Sequence, residues 1–161
     1  MRVPVTHPIP PFYDESSRIL ILGSFPSVKS REMQFFYGHP RNRFWKVVSS
    51  VFEDRFPETV PERRAFLARH HIAVWDVIYS CEISGSSDAS IRSVIPSDLT
   101  PILTAAPIRS IYVNGRTAEA MYRRCTEPVT GRKAVCLPST SPANAAWSPE
   151  RLIEAWSVIR S

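Results

Sequence analysis

The sequence predicts an α/β protein, a three-layer α/β/α sandwich with a central four-stranded parallel sheet. Two observations lead to this prediction. Short apolar runs, which are typical of buried parallel strands, occur at residues 18–24, 72–77, 109–115 and 133–139. Segments with helical spacing lie between these runs, and strands that alternate with helices favour a parallel sheet covered on both faces.

The first part of the chain predicts one strand and one helix. Residues 1–17 are rich in proline and are expected to be extended, because proline removes a backbone donor and restricts the residue before it. The strand at 18–24, RILILGS, ends in a glycine turn. From residue 41 to about 52, apolar residues that include Phe44 and Val48 recur at helical spacing, which predicts an amphipathic helix.

The middle of the chain predicts short elements. Residues 62–70 form a second helix, since Pro61 is tolerated near a helix start. Residues 80–90 are polar and predict a flexible loop, and shorter helices are expected at 99–106 and 116–124. No linker or repeat interrupts the chain.

The last helix has the clearest start signal. Ser148 is a suitable N-cap and Pro149 a suitable first helical residue, and the apolar residues that follow share one face. At 161 residues, the chain fits one domain, 1–161, which can bury about two-thirds of its unfolded surface.

The composition favours a nucleic-acid partner. The net charge is +5, the pI is about 9.4, and seventeen arginines stand against three lysines. The planar guanidinium suits phosphates and base edges, although a basic protein without such a partner is the alternative. The sequence has neither an apolar run of about 20 residues nor a signal peptide, so a cytoplasmic protein without a membrane partner is expected. Three widely spaced cysteines predict neither a disulfide framework nor a metal cluster.

The predicted architecture locates a functional site. In an open parallel sheet, ligands bind beyond the carboxyl ends of the strands. Polar or small residues follow each predicted strand, namely Ser24 with Phe25, Asp76, Asn114, and residues 138–142. The segment FFYGHPRNRFW, residues 35–45, lies at the same edge and combines aromatic rings with polar groups.

Several residues at this edge admit two interpretations. Asn42 could cap the following helix, or it could orient a water molecule by two hydrogen bonds. His39 could take part in catalysis or hydrogen-bond within its own loop. Asn114 could read the edge of a base or cap the next helix. The loop LPSTSPANAAWSPE could enter a DNA groove or simply connect a strand to a helix.

Four segments in order along the chain resemble motifs of the uracil-DNA glycosylase superfamily: GSFPSVKS, FYGHPRNRFW, DVIYSCEISGSSDAS and LPSTSPANA. The resemblance is closest to the hypoxanthine (deoxyinosine) DNA glycosylase branch and next to the mismatch-specific branch. It implies a monofunctional DNA glycosylase that flips a deaminated base out of DNA and hydrolyses its N-glycosidic bond. Hypoxanthine is the expected base, with uracil and xanthine as alternatives, and the reaction starts base excision repair.

The resemblance also implies roles for individual residues. Asn42 directs water at the sugar carbon, and His39 and Asp76 are secondary candidates. Base-binding residues are expected to be Ser24, Phe25, Phe36, Tyr37 and Asn114. The loop that enters DNA is expected to consist of Ser139, Thr140, Ser141, Pro142, Ala143 and Asn144.

Further expectations concern partners and departures from the family pattern. The partner is DNA that contains deaminated bases, the protein is expected to be a monomer in the cytoplasm or nucleoid, and no metal or cofactor is expected. The first motif lacks the carboxylate or amide of most members, and Ser139 replaces the late histidine of the uracil-specific enzymes. A mismatch-specific uracil/thymine glycosylase and a non-catalytic DNA-binding module of the same fold are therefore the alternatives.

Overall fold

The computed structural model, which describes residues 2–160, contains a parallel and an antiparallel sheet joined by helices. The elements follow in this order: β1 (Val3–Thr6), β2 (Ile19–Gly23), α1 (Val28–Met33), α2 (Phe44–Val51), α3 (Val60–Arg69), β3 (Ile72–Asp76), β4 (Ile78–Ile83), β5 (Arg92–Pro96), α4 (Thr100–Ala105), β6 (Ser110–Asn114), α5 (Arg116–Met121), α6 (Glu127–Thr130), β7 (Val135–Leu137) and α7 (Pro149–Trp156).

The central sheet is parallel throughout and has the strand order β3-β2-β6-β7. Every residue of β2 and β3 is buried, which explains why both strands are continuous apolar runs in the sequence. Their register places Gly23 opposite Asp76, so the last residues of the two strands are neighbours. The predicted four-stranded parallel sheet and α/β class are confirmed.

An antiparallel sheet in the order β1-β4-β5 was not predicted. Only Val77 separates β3 from β4, so the chain passes from one sheet directly into the other. Part of the expected flexible loop at 80–90 is therefore strand, and the N-terminal segment supplies the edge strand β1. The apolar residues of β4 are dispersed among polar ones, but Ile78 and Ile83 pack with Phe25 in a small core of their own.

The helices differ from the prediction mainly at their ends. Helix α2 begins at Phe44 rather than at residue 41, because the Asn42 side chain accepts a hydrogen bond from the Phe44 amide and the chain turns there. Helix α1, which was not predicted, begins after Ser27, whose hydroxyl accepts from the Ser30 amide. Helix α5 continues through a π-helical turn into α6, so this helical region extends beyond residue 124.

The end of the chain folds as predicted. Ser148 caps α7 by accepting a hydrogen bond from the Arg151 amide at 3.2 Å, and Pro149 is the first helical residue. Trp156 packs against Phe44 at 5.8 Å between ring centroids, which joins α7 to α2 in the core. Among residues 2–160, no helix is long and apolar enough to span a bilayer.

The capping box of α3 provides a test of local stability. The Thr59 hydroxyl accepts from the Glu62 amide at 3.2 Å, and the Glu62 carboxylate accepts from the Thr59 amide at 3.2 Å. We expect Thr59→Ala to lower the free energy of unfolding by about 1 kcal/mol, since the Glu62 amide at the helix start loses its acceptor. Thr59→Ser keeps the hydroxyl and is the matched control in urea denaturation. Equal stability of both variants would contradict a role for the cap.

Candidate active site

A cavity of about 330 Å³ lies at the carboxyl ends of the parallel strands. Nearly all the residues predicted from the sequence line it: Ser24, Phe25, Phe36, Tyr37, His39, Asn42, Asp76, Asn114 and residues 139–143. Asn144 lines an adjoining cavity of about 480 Å³ instead. The fold thus brings most of the predicted site residues around one cavity at the strand ends, although some of them are about 120 positions apart in the sequence.

Thr140 connects the two asparagines of the cavity. Its hydroxyl donates to Asn42 Oδ1 at 2.9 Å and accepts from Asn114 Nδ2 at 3.0 Å. Its amide donates to Asn114 Oδ1 at 3.1 Å, and the residue is fully buried. These bonds fix both amide groups, so the site presents rigid rather than rotating side chains.

The network also fixes which end of Asn42 faces the cavity. Asn42 Oδ1 accepts from the Phe44 amide at 2.9 Å as well as from Thr140. Its Nδ2 has no partner among residues 2–160, which leaves two N–H donors for a ligand or water. Asn42 precedes the N-cap residue Arg43 and binds the first amide of α2, and the residue that carries this free Nδ2 lines the cavity.

His39 is held within its own loop. Its Nδ1 accepts from the Arg41 amide at 3.0 Å, and its carbonyl accepts from the Asn42 amide at 2.9 Å. The half-buried ring still lines the cavity. The loop hydrogen bond that was one of its two interpretations is therefore present.

The two candidate stacking rings differ in exposure. Phe36 is 2% exposed and packs with Phe35 and the His7 ring in the core. Tyr37 is half-buried and stacks on Phe44 at 4.0 Å between centroids. Tyr37 is therefore the more accessible of the two rings in the cavity wall.

The Tyr37 hydroxyl is a buried donor without a hydrogen-bond partner among residues 2–160. Burial raises the pKa of Tyr37 well above its usual value, and the nearby Asp76 carboxylate raises it further, while Asn114 lowers it in part. The phenol is consequently protonated at all physiological pH values. The hydroxyl is therefore a buried neutral group close to Asp76 and Asn114.

The segment GSFPSVKS, which follows β2, contributes Ser24 and Phe25 to the cavity. Ser24 donates to Asp88 Oδ1 at 3.0 Å, and Phe25 packs against the His7 ring. Asp88 is exposed as a residue, but it also lines the cavity. Desolvation raises the pKa of its carboxyl group above the usual value, although a hydrogen bond from Ser24 lowers it in part, and the Asp76 charge raises it further. Asp88 was not predicted as a site residue, although it lies in the motif segment DVIYSCEISGSSDAS.

Arg43 holds the loop at residues 138–148 against the start of α2. Its guanidinium donates to the carbonyls of Ser141 at 2.9 Å, Asn144 at 3.0 Å and Trp147. Its amide donates to the Thr140 carbonyl at 3.0 Å. Pro142 and Ala143 remain exposed at the loop tip. The loop is therefore a fixed projection beside the cavity, and Arg43 acts through carbonyls rather than through a carboxylate.

Asp76 has a buried partner that sequence reasoning missed. His7 Nε2 lies 2.7 Å from Asp76 Oδ2, and the His7 side chain is fully buried. His7 lies 69 positions before Asp76 in the sequence. No pattern in the proline-rich N-terminal segment links the two residues, so the sequence carried no signal for this contact. Gly23 makes room for the pair, because a Cβ at that position would collide with Asp76 Oδ1.

The arrangement can be compared with known proteins. A family model described as the uracil DNA glycosylase superfamily matches residues 10–160. The chain belongs to the uracil DNA glycosylase superfamily. The family resemblance and the glycosylase class predicted from the motifs are thereby confirmed.

Individual members of the superfamily are similar over most of the chain. A "Hypoxanthine DNA glycosylase" from Methanosarcina acetivorans is 33% identical over 156 residues, covering 94% of this chain and 96% of the relative. A protein of the same name from Methanosarcina barkeri is 33% identical over 109 residues, covering 66% of this chain and 69% of its own. The solution NMR structure of a candidate uracil DNA glycosylase from Methanosarcina acetivorans superposes with a TM-score of 0.80 at 32% identity, covering 94% of each chain.

Arg43 offers a test of the loop in this glycosylase. Arg43→Met leaves three carbonyls without their donor, so we expect unfolding free energy to fall by about 1–3 kcal/mol and base release from DNA to slow because the loop loosens. Arg41→Met, at the exposed neighbouring arginine, removes the same charge and is the control. Urea denaturation and single-turnover excision measure the two effects. If Arg43→Met and Arg41→Met have the same unfolding free energy and the same excision rate, the lost positive charge explains the effect and the loop contacts do not.

Proposed function

We propose that this glycosylase flips a deaminated base, hypoxanthine in the first place, out of DNA into the cavity and hydrolyses its N-glycosidic bond. The observation that carries the proposal is the rigid pair Asn42 and Asn114, held by Thr140 beside an accessible tyrosine at the strand ends. Two relatives named for hypoxanthine support the choice of base.

DNA binding is proposed to use the basic surface and the fixed loop. The net charge of +5 favours contact with phosphates. The exposed tip at Pro142 and Ala143 is small and rigid enough to enter the minor groove when a base leaves the stack. Extrusion costs a few kcal/mol and least at a mispaired base, which favours deaminated positions.

The flipped base is proposed to lie against Tyr37, with Asn114 at its edge. One face of the Tyr37 ring is covered by Phe44, which holds the ring in place, and base–aromatic stacking contributes about 1–3 kcal/mol in other nucleic-acid complexes. Asn114 uses one hydrogen and one lone pair on Thr140 and retains one of each for the base. All these groups come from one chain, so a monomer acting on cellular DNA is the proposed working form.

Bond cleavage is proposed to depend on positioning. The sugar develops positive charge and the base negative charge as the bond breaks, so a water molecule needs alignment more than strong activation. Asn42 Nδ2 can donate to that water, and the amides of Ser24 and Phe25 can stabilise the base. The amides of Thr140 and Ser141 are already bonded to Asn114 and Ser139, so they are not available to stabilise the base.

Base release from defined duplexes tests the function. We expect alkali-labile sites in duplexes that carry deoxyinosine, with slower or no cleavage at deoxyuridine and deoxyxanthosine. An unmodified duplex of the same sequence is the control. Tight binding to all duplexes without any strand cleavage would instead favour a non-catalytic DNA-binding module. Preference for deoxyuridine or thymine opposite guanine would favour the mismatch-specific alternative.

Two substitutions separate the structural and catalytic roles of Asn42. Asn42→Ala removes both the Oδ1 acceptor for Phe44 and Thr140 and the Nδ2 donors, and we expect single-turnover excision to fall about 100-fold or more. Asn42→Asp keeps an oxygen for Phe44 and Thr140 but removes the Nδ2 donors, so we expect normal thermal stability and similarly low activity. DNA binding by fluorescence anisotropy should survive in both. Full activity of Asn42→Asp would assign the role to an oxygen rather than to Nδ2.

A further inference from the structure

The two carboxylate oxygens of Asp76 have different surroundings. Asp76 is 4% exposed, ends β3 and lines the cavity. Oδ2 lies 2.7 Å from His7 Nε2. Oδ1 lies above Gly23 and accepts no hydrogen bond from the part of the chain that the structure describes, residues 2–160. A buried carboxylate oxygen is stabilised by a donor, so Oδ1 is an acceptor open to a ligand.

The protonation of His7 follows from its other contact. His7 Nδ1 accepts a hydrogen bond from the Ile9 amide at 3.1 Å, and therefore carries no hydrogen of its own. In the neutral ring the hydrogen is then on Nε2, which donates to Asp76 Oδ2. The ring is packed against Phe25 and Trp75. Asp76 is consequently held in one orientation by the Nε2–H group of His7.

The charge of Asp76 is not neutralised by a nearby cation. Among residues 2–160, no lysine or arginine nitrogen lies within 4.0 Å of the carboxylate, and His7 is its one basic neighbour. The cavity therefore contains a fixed negative acceptor at its floor. A ligand with an N–H group at that point gains a charge-assisted hydrogen bond, whereas a ligand with a lone pair there is repelled.

The Tyr37 hydroxyl lies beside this acceptor but is itself buried. It would be 3.2 Å from a Cβ at Gly23, and Asp76 Oδ1 lies close to the same point. Asp76 Oδ1 is therefore the group that the cavity offers to a ligand here. A lactam has a ring N–H that complements this acceptor.

We propose that Asp76 Oδ1 accepts a hydrogen bond from the ring N–H of the extruded base, which is N1–H in hypoxanthine. His7 is a positioning residue that acts through Asp76. The inference rests on the proposed function, since it names how the same cavity recognises its base.

The fixed hydrogen on His7 makes one substitution especially informative. In Asp76→Asn the carboxamide oxygen must accept from His7 Nε2, so the amide NH₂ takes the place of Oδ1. The variant therefore replaces an acceptor by a donor of the same shape. We expect single-turnover excision of hypoxanthine to fall about 10- to 100-fold. Excision of unsubstituted purine, whose N1 is an acceptor, should fall much less or rise, so the ratio of the two rates should change at least about tenfold.

Variants of His7 test its positioning role. His7→Phe keeps an aromatic ring among Phe25 and Trp75 but has no donor, and we expect it to lose the preference for hypoxanthine over unsubstituted purine. His7→Gln can donate from its amide and should restore much of that preference. A purely structural role would change both substrates equally and leave the ratio unaltered. Thermal unfolding of each variant reports its stability separately.

The outcomes distinguish the inference from the function on which it rests. If the wild type releases hypoxanthine while Asp76→Asn and His7→Phe keep the wild-type rate ratio, the reading role of Asp76 is overturned and the glycosylase proposal stands. If the wild type releases no base from any deaminated duplex, the proposed function fails first. Should Asp76→Asn not fold, the comparison of His7→Phe with His7→Gln decides between the same results.

Discussion

The site depends on the buried hydroxyl and backbone of Thr140. This residue is fully buried, and each of its polar groups has a partner: the amide and the hydroxyl oxygen bond Asn114, the hydroxyl hydrogen bonds Asn42, and the carbonyl accepts from the Arg43 amide. It thereby joins the end of β6, the start of α2 and the loop that follows β7. Because a partly satisfied buried network costs more than it contributes, these three segments must adopt their positions together.

Half-buried Arg43 and buried Asp76 show how the site is kept rigid without ion pairs between formal charges. The Arg43 guanidinium donates hydrogen bonds to loop carbonyls. Asp76 accepts a hydrogen bond from His7 Nε2. Neither charge is cancelled, so each still acts on its surroundings. The positive charge lies beneath the loop that is proposed to meet DNA, and the negative charge lies at the cavity floor where a base is proposed to sit.

The predictable part of the fold was the part with a strong local pattern. Strands β2 and β3 are fully buried and therefore continuous apolar runs, and α7 has both Ser148 and Pro149 at its start. Strands β1, β4 and β5 were missed because their stability comes from pairing with one another across long sequence separations. A half-exposed strand with dispersed apolar residues resembles a polar loop when it is considered alone.

By itself, the sequence determined the α/β class, the edge of the sheet at which the cavity lies and the superfamily, because strand periodicity and motif order are local properties of the chain. Only the tertiary structure decided how the residues of the segment at 35–45 divide their roles. Phe36 packs in the core, Tyr37 forms part of the cavity wall, and Asn42 binds Thr140 through its amide oxygen at the edge of the cavity. The same holds for His7 beside Asp76, since hydrogen-bond direction depends on partners that folding brings from distant positions.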